Sequence, residues 1–109
     1  MRDDRITVGL GLEGFRVSET IETEEAVEAV IETRAGAGCC PRCGHGAAEG
    51  KGRRDRVLRD VPVRGKPLYL RWRIRRFRCP SCSHRFEERH EAIPPRVRAT
   101  PRFERYLYG

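Results

Sequence analysis

A chain of 109 residues carrying 23 lysines and arginines against 16 aspartates and glutamates, a net +7, holds the material for one small, basic domain. No run approaches the ~18 apolar residues a membrane span requires, and the charged start Met1-Arg2-Asp3-Asp4-Arg5 lacks the apolar region of a secretory signal. A core drawn from 38% hydrophobic residues leaves little room for a multi-step active site, so a staple is expected instead.

The first segment, residues 1–38, is acidic, with four basic and nine acidic side chains and a net charge of −5. Phe15-Arg16-Val17 opens an alternating stretch that continues through Glu19 and Ile21, the period of a strand. Glu24 to Glu32 is rich in helix formers behind Thr23, a good N-cap, and propensity favours a helix there. Val27, Ala29 and Ile31 nevertheless alternate as a strand would. Ala35-Gly36-Ala37-Gly38 reads as a flexible lead into the cysteine-bearing segment.

The second segment, residues 39–93, carries all five cysteines. Cys40-Pro41-Arg42-Cys43 and Cys79-Pro80-Ser81-Cys82 are two Cys-x-x-Cys pairs separated by 35 residues. Two thiolates on one tight turn reach a metal together, and two such turns complete a tetrahedron. A single structural Zn²⁺ held by Cys40, Cys43, Cys79 and Cys82 is the favoured reading; iron in the same cage stays open. A redox dithiol usually occurs once and beside a βαβ pattern. Disulfides fit poorly with an odd fifth cysteine. Cys39 reads as a bystander thiol, and His45 and His84, two residues beyond each pair, as solvent-facing rather than metal-bound. His90 has no functional signal. Such a site contributes about 10–16 kcal/mol apparent, more than a small domain's usual net stability, so the metal-free chain is expected to be partly or wholly unfolded.

Between the knuckles, Arg53 to Val63 and Pro67 to Arg78 flank Arg64-Gly65-Lys66 as the arms of a β-hairpin. Pro62 places the first arm at a sheet edge. The second arm puts Leu68, Leu70, Trp72 and Ile74 on one face and Tyr69, Arg71, Arg73 and Arg75 on the other. Its phase slips at Arg75-Arg76, which predicts a β-bulge in that arm, with Phe77 and Cys79 joining the apolar face. Arg71, Arg73 and Arg75, about 6.6–6.8 Å apart, suit a phosphate backbone. The alternative is a solvated face paired with Asp55 and Asp60.

The third segment, residues 94–109, begins with an extended Pro94-Pro95 linker. Thr100-Pro101 then signals a helix start, cap followed by proline. Phe103 and Leu107 share a face with Tyr106 beside them, and that face needs something to pack on. From Cys39 onward the chain carries 19 basic and 7 acidic residues, net +12, a density that points to a polyanionic partner.

The order Cys40-Pro41-Arg42-Cys43-Gly44, Arg56-Val57-Leu58-Arg59-Asp60-Val61-Pro62, Gly65, Arg75-Arg76-Phe77-Arg78-Cys79-Pro80, then Cys82 and Phe86, resembles the N-terminal zinc-finger region of the IS-L-three family of bacterial insertion-sequence transposases. Leu10-Gly11-Leu12-Glu13-Gly14-Phe15-Arg16-Val17 is similar to that family's opening. The resemblance covers about residues 8–105. It implies zinc-dependent recognition of the element's terminal DNA repeats and a strand pair, not a helix, over residues 15–33. Full-length members add a helix-turn-helix and a catalytic domain built on three metal-binding carboxylates. No such domain is read in these residues, so cleavage is not carried over. Cys39 departs from the pattern, as does Ser83, which stands where glycine would ease the second knuckle.

The expected fold is therefore small and β-rich, α+β at most: a zinc-ribbon-like two-knuckle site with antiparallel β-hairpins and a short C-terminal helix. The expected function is a sequence-selective, double-stranded-DNA-binding zinc module of a transposase or of a stand-alone relative, not itself an enzyme, acting on the nucleoid in the cytoplasm. Arg42, Arg53, Arg54, Arg56, Arg71, Arg73 and Arg75 are the expected DNA contacts. The alternative is a zinc-stabilised protein-interaction module that forms a homodimer or binds a partner through Phe103, Tyr106 and Leu107. A small redox protein using Cys40 and Cys43 is the third reading.

Overall fold

The computed structural model describes residues 14–34, 36 and 38–108. Half of the family-like opening, residues 10–13, the chain start, and Ala35 and Ala37 of the expected flexible lead lie outside them. Five strands form one sheet: β1 (Phe15–Glu22), β2 (Val27–Thr33), β3 (Glu49–Val63), β4 (Lys66–Arg78) and β5 (Arg85–Glu87). Their order is β1-β2-β4-β3, and β5 pairs with the far end of β4. One helix, α1 (Pro101–Tyr108), ends the described chain.

The helix that propensity favours over 24–32 is a strand. Thr23 does cap a turn, its hydroxyl accepting from the Glu25 and Ala26 N–H groups at 3.3 and 3.1 Å. The turn closes with Thr23 N–H on the Ala26 carbonyl at 2.9 Å, and the chain reverses into β2. Tertiary burial overrides propensity: Val27, Ala29 and Ile31 are buried between β1 and β4. β2 runs antiparallel to β1 but parallel to β4, so two antiparallel hairpins are joined by a parallel pairing. The acidic head and the ribbon thus share one sheet.

The β3–β4 hairpin turns at Arg64 and Gly65, both at positive φ (50° and 76°), as a type I′ turn requires. β3 lies at the sheet edge, which lets Pro62 go without a ladder bond. The bulge expected in β4 is in β3 instead. Gly50 pairs with Phe77 and Arg53 with Arg75, so Lys51 and Gly52 together face Arg76. β4 therefore runs straight on, and Phe77 stays on the side of Arg75, whose guanidinium sits 5.3 Å from its ring. Phe77 is buried there by stacking on Phe86 of β5, centroids 5.4 Å apart. Burial, not a phase change, explains its apolar identity. A second shift, at Ser18, turns Ile21 of β1 out to 43% exposure.

The main core lies on the Trp72 side of β4: Leu68, Leu70, Trp72 and Ile74 with Phe15, Val17, Ile31, Leu58 and Ile93. Phe15 meets Trp72 edge to face, centroids 5.4 Å apart. His90, which the sequence left without a role, packs on Phe15 at 4.5 Å. The tail closes this side. Arg59 N–H donates to the Arg98 carbonyl and Thr100 N–H to the Arg59 carbonyl, laying residues 98–100 along β3. Thr100 caps α1 as expected, its hydroxyl accepting from Phe103 N–H at 3.1 Å and donating to Asp60 at 2.7 Å. Asp60 is fully buried and also holds Arg102 at 3.1 Å, so it does not pair with the β4 arginine row. Of the expected helix face only Phe103 is buried; Tyr106 and Leu107 are 59% and 56% exposed.

Candidate metal centre

Each knuckle is a short turn fixed by the same pair of backbone bonds. In the first, Cys40 N–H donates to the His45 carbonyl and Gly44 N–H to the Cys40 carbonyl, both at 2.9 Å. In the second, Cys79 N–H donates to the His84 carbonyl and Ser83 N–H to the Cys79 carbonyl, again at 2.9 Å. The fifth residue of each turn has positive φ, 79° at Gly44 and 64° at Ser83. Backbone amides also face the sulfurs: Arg42 N–H lies 3.4 Å from Cys40 Sγ, and Cys82 N–H 3.5 Å from Cys79 Sγ. The first knuckle precedes β3, the second follows β4, and the antiparallel hairpin brings them together.

The four sulfurs lie within 4.8 Å of one another, with Cys40 to Cys82 at 3.6 Å and Cys43 to Cys79 at 3.5 Å. Zn–S bonds of about 2.3 Å in a tetrahedron put sulfurs about 3.8 Å apart. The cage therefore fits one zinc ion, with all four positions taken by protein. Burial pushes the Cys40 thiol up, but the Cys43 and Arg42 backbone amides and the Cys82 and Cys43 thiols bring it down to about 7. Cys79 moves down for the same kinds of reason, burial opposing amides from Cys82 and Ser81. At Cys43 the His45 backbone lowers the thiol, yet Cys79, burial, Cys82 and Cys40 leave it raised to about 11. Four thiols this close cannot all ionise without a cation among them, which zinc supplies. Cys39 is exposed and outside the cage. His45 and His84 are outside it as well, and His84 stacks on Phe86 at 5.9 Å.

The seven arginines expected to meet DNA do not share a surface. Arg42 is exposed on the first knuckle. Arg53 of β3 lies across from Arg75, on the face of Arg71 and Arg73, whereas Arg54 and Arg56 lie across from Ile74 and Trp72 on the opposite face. Most are already engaged. Arg71 grips Glu28 at 2.9 and 3.2 Å and reaches Asp55 at 3.4 Å; Arg73 lies 3.8 Å from Asp55. Arg75 holds Glu88 at 3.0 Å and Thr33 at 3.2 Å, and Arg53 holds Glu32 at 2.6 Å. Arg54 makes a two-point pair with Glu87 at 2.8 and 3.0 Å. Arg56 donates to the Pro94 carbonyl at 2.9 Å and also to that of Val97.

The acidic head thus reaches this face from within the sheet, Glu28 of β2 pairing with Arg71 and Glu32 with Arg53, while Asp55 and Glu88 take Arg73 and Arg75. Arg71 holds the Glu28 carboxyl below its ordinary value, and Arg54 does the same for Glu87. Sequence reasoning passed over Arg85, Arg89, Arg96 and Arg98, which are exposed and have no carboxylate partner among the described residues. They sit outside any periodic run, and only the +12 of the whole segment hinted at them.

Residues 36–82 match the family described as the zinc-finger of transposase IS204/IS1001/IS1096/IS1165. The matched segment runs from the lead into the first knuckle to the last cysteine of the second, less than half of the chain. Over that segment it bears out the resemblance read from the cysteine spacing and the basic hairpin, and with the sulfur geometry it supports a zinc ribbon whose four cysteines are placed to hold one structural Zn²⁺. No curated protein and no solved structure matches the chain.

Proposed function

We propose that the chain is a DNA-binding module of transposase type, in which zinc shapes the ribbon and the protein binds duplex DNA without cutting it. The observation that carries this reading is that the segment matching the transposase zinc-finger carries 13 basic and 3 acidic residues, net +10. Zinc here does no chemistry on a substrate: a cage of four thiolates leaves no position for a catalytic water, so its work is to tie the two ends of the hairpin. A duplex partner places the protein on the nucleoid, in the cytoplasm. Sequence-selective contact belongs to the same proposal.

The test joins metal analysis to a salt-dependent titration of duplex DNA on one sample. One zinc per chain and an affinity that falls steeply with salt are expected. Undetectable binding at low salt, with zinc loaded, rules the reading out. A second reading, a protein-interaction module, draws on the exposed Tyr106, Leu107 and Tyr108 of α1. It requires a defined oligomer or partner that survives Arg71→Ala, Arg73→Ala and Arg75→Ala and is lost on Leu107→Asp. Among the described residues no helix is long and apolar enough to cross a membrane.

A further inference from the structure

After β5 the chain folds back over the Trp72 side of the sheet and encloses a cleft of about 1330 Å³. Its floor is Trp72 and Ile74. Three struts hold it open. Arg56 ties the carbonyls of Pro94 and Val97 to β3, Arg54 ties Glu87 to β3, and Ile93 is anchored in the core. The lining is strongly cationic, with Arg85, Arg89, Arg96 and Arg98 facing Glu87 and Glu88 as the acids. Both acids are already taken, Glu87 by Arg54 and Arg76 and Glu88 by Arg75. The four arginines are all exposed, and none has a carboxylate partner among the described residues.

That difference decides between the two arginine surfaces. Binding free energy for a polyanion comes largely from small counterions released when protein cations meet phosphates. An arginine already paired to a carboxylate must exchange one anion for another and gains little. Arg71, Arg73 and Arg75 are in that position, with Glu28, Asp55 and Glu88. The cleft arginines are not. Trp72 of the floor is 1% exposed, and its buried indole Nε1 has no hydrogen-bond partner. At its knuckle end the lining reaches round to the opposite face, where His84, Phe86 and Phe77 stack in series.

We propose that one phosphodiester strand of the bound DNA lies in this cleft, gripped by Arg85, Arg89, Arg96 and Arg98, and not along the arginine row of β4. The inference rests on the DNA-binding reading above and says where that binding occurs. Arg54 and Arg56 are positioning residues in it, holding the walls apart without spending their charge on phosphate.

The test uses the zinc-loaded chain and a 30-base-pair duplex probe, followed by anisotropy of the labelled DNA and by the fluorescence of Trp72, the chain's one tryptophan. Arg85→Ala/Arg89→Ala and Arg96→Ala/Arg98→Ala are compared with Arg71→Ala/Arg73→Ala, each checked for unchanged zinc content and melting. Each cleft pair should lose at least about tenfold in affinity at low salt and about two from the log–log salt slope. The β4 pair should change by less than about threefold, and DNA should alter Trp72 emission in the wild type. Wild-type binding that survives both cleft pairs, or that is lost only in the β4 pair, overturns the cleft and leaves the DNA reading standing. A wild type that binds no DNA defeats that reading itself, and the cleft with it.

Discussion

The two ends of the β3–β4 hairpin are held by different physics. At the turn end, β4 is covered on one face by a continuous apolar cluster, with Phe15, Ile31, Leu58 and Ile93 packed around Trp72. At the knuckle end the buried residues are Cys40, Cys79, Ala48 and Phe77, none of which belongs to that cluster. The apolar end can hold itself by excluding water. The knuckle end has two tight turns and four sulfurs, and without a cation at their centre those sulfurs repel as they ionise. A small domain can thus divide its stability between burial and metal ligation, each serving the end where the other is absent.

The largest effect that would break this division is removal of zinc. Chelation, or Cys79→Ser, should abolish stoichiometric zinc binding and release much of the about 10–16 kcal/mol such sites contribute. Protection from hydrogen exchange should then be lost first at the Cys40 and Cys79 amides, which close the turns, while β2 and residues 68–72 of β4 keep theirs. Simultaneous loss everywhere would show one cooperative unit, the whole rather than the partial unfolding that the cysteine pattern leaves open. The reverse experiment is Trp72→Ala, expected to cost about 3–5 kcal/mol by urea denaturation. Below its lowered midpoint the variant should still bind one zinc.

A smaller effect comes from the helix latch at the apolar end. Asp60→Ala leaves the Thr100 hydroxyl and the Arg102 guanidinium without their buried acceptor and should cost about 1–3 kcal/mol, with α1 detaching from β3 before the sheet melts. Amide exchange at Phe103, which donates to Thr100, reports that detachment directly. Retained protection there would mean that Phe103 burial alone docks the helix.

The knuckle end offers a finer comparison within itself. Gly44 and Ser83 occupy the same place in matching turns, and both have positive φ. A side chain there costs about 1–2 kcal/mol, so Gly44→Ala should weaken zinc retention against a competing chelator. Ser83→Gly should strengthen it by up to about 1 kcal/mol, offset in part by the lost bond from Arg78 to the serine hydroxyl. A Ser83→Gly variant that retains zinc no better than the wild type would mean that the positive φ does not limit the second turn.

Much of this division was legible in the sequence. Cys40, Cys43, Cys79 and Cys82 announce the metal by spacing alone, since ligand geometry allows few alternatives. The clean alternation of Leu68 to Ile74 gives β4 and its core face, and Pro62 correctly puts β3 at an edge. What failed did so because it depended on partners far away in the chain. Residues 24–32 favour a helix locally, and only β1 and β4 on either side make them a strand. The slip at Arg75-Arg76 is answered by Gly52 in the other arm, and Phe77 is buried by Phe86, neither of which period counting along β4 can see. The arginine row looked like a free cationic face because its partners lie on other elements: Glu28 on β2 for Arg71, Asp55 on β3 for Arg71 and Arg73, and Glu88 beyond β5 for Arg75. Arg85, Arg89, Arg96 and Arg98 showed no pattern at all, since their grouping exists only once the tail folds back.

The smallest effect isolates those neutralising pairs by pH. Arg71 lowers the Glu28 carboxyl, and Arg54 lowers that of Glu87, each chiefly by direct hydrogen bonds that outweigh partial burial. A carboxyl depressed in the folded state stabilises the fold above its unfolded value of about 4.3. That contribution fades as the pH falls through the lower, folded-state value. Carboxyl chemical shifts in the zinc-loaded protein should therefore show Glu28 and Glu87 titrating below a model glutamate. Arg71→Ala should return Glu28 toward about 4.3 and leave Glu87 where it was, while Arg54→Ala should do the opposite. If either substitution moves both, the head and the cleft wall are electrostatically coupled, and charge at one arginine surface then influences binding at the other. Independent shifts would instead mean that the acidic head acts only on the row it touches, and that the cleft keeps its unpaired cations whatever the head does.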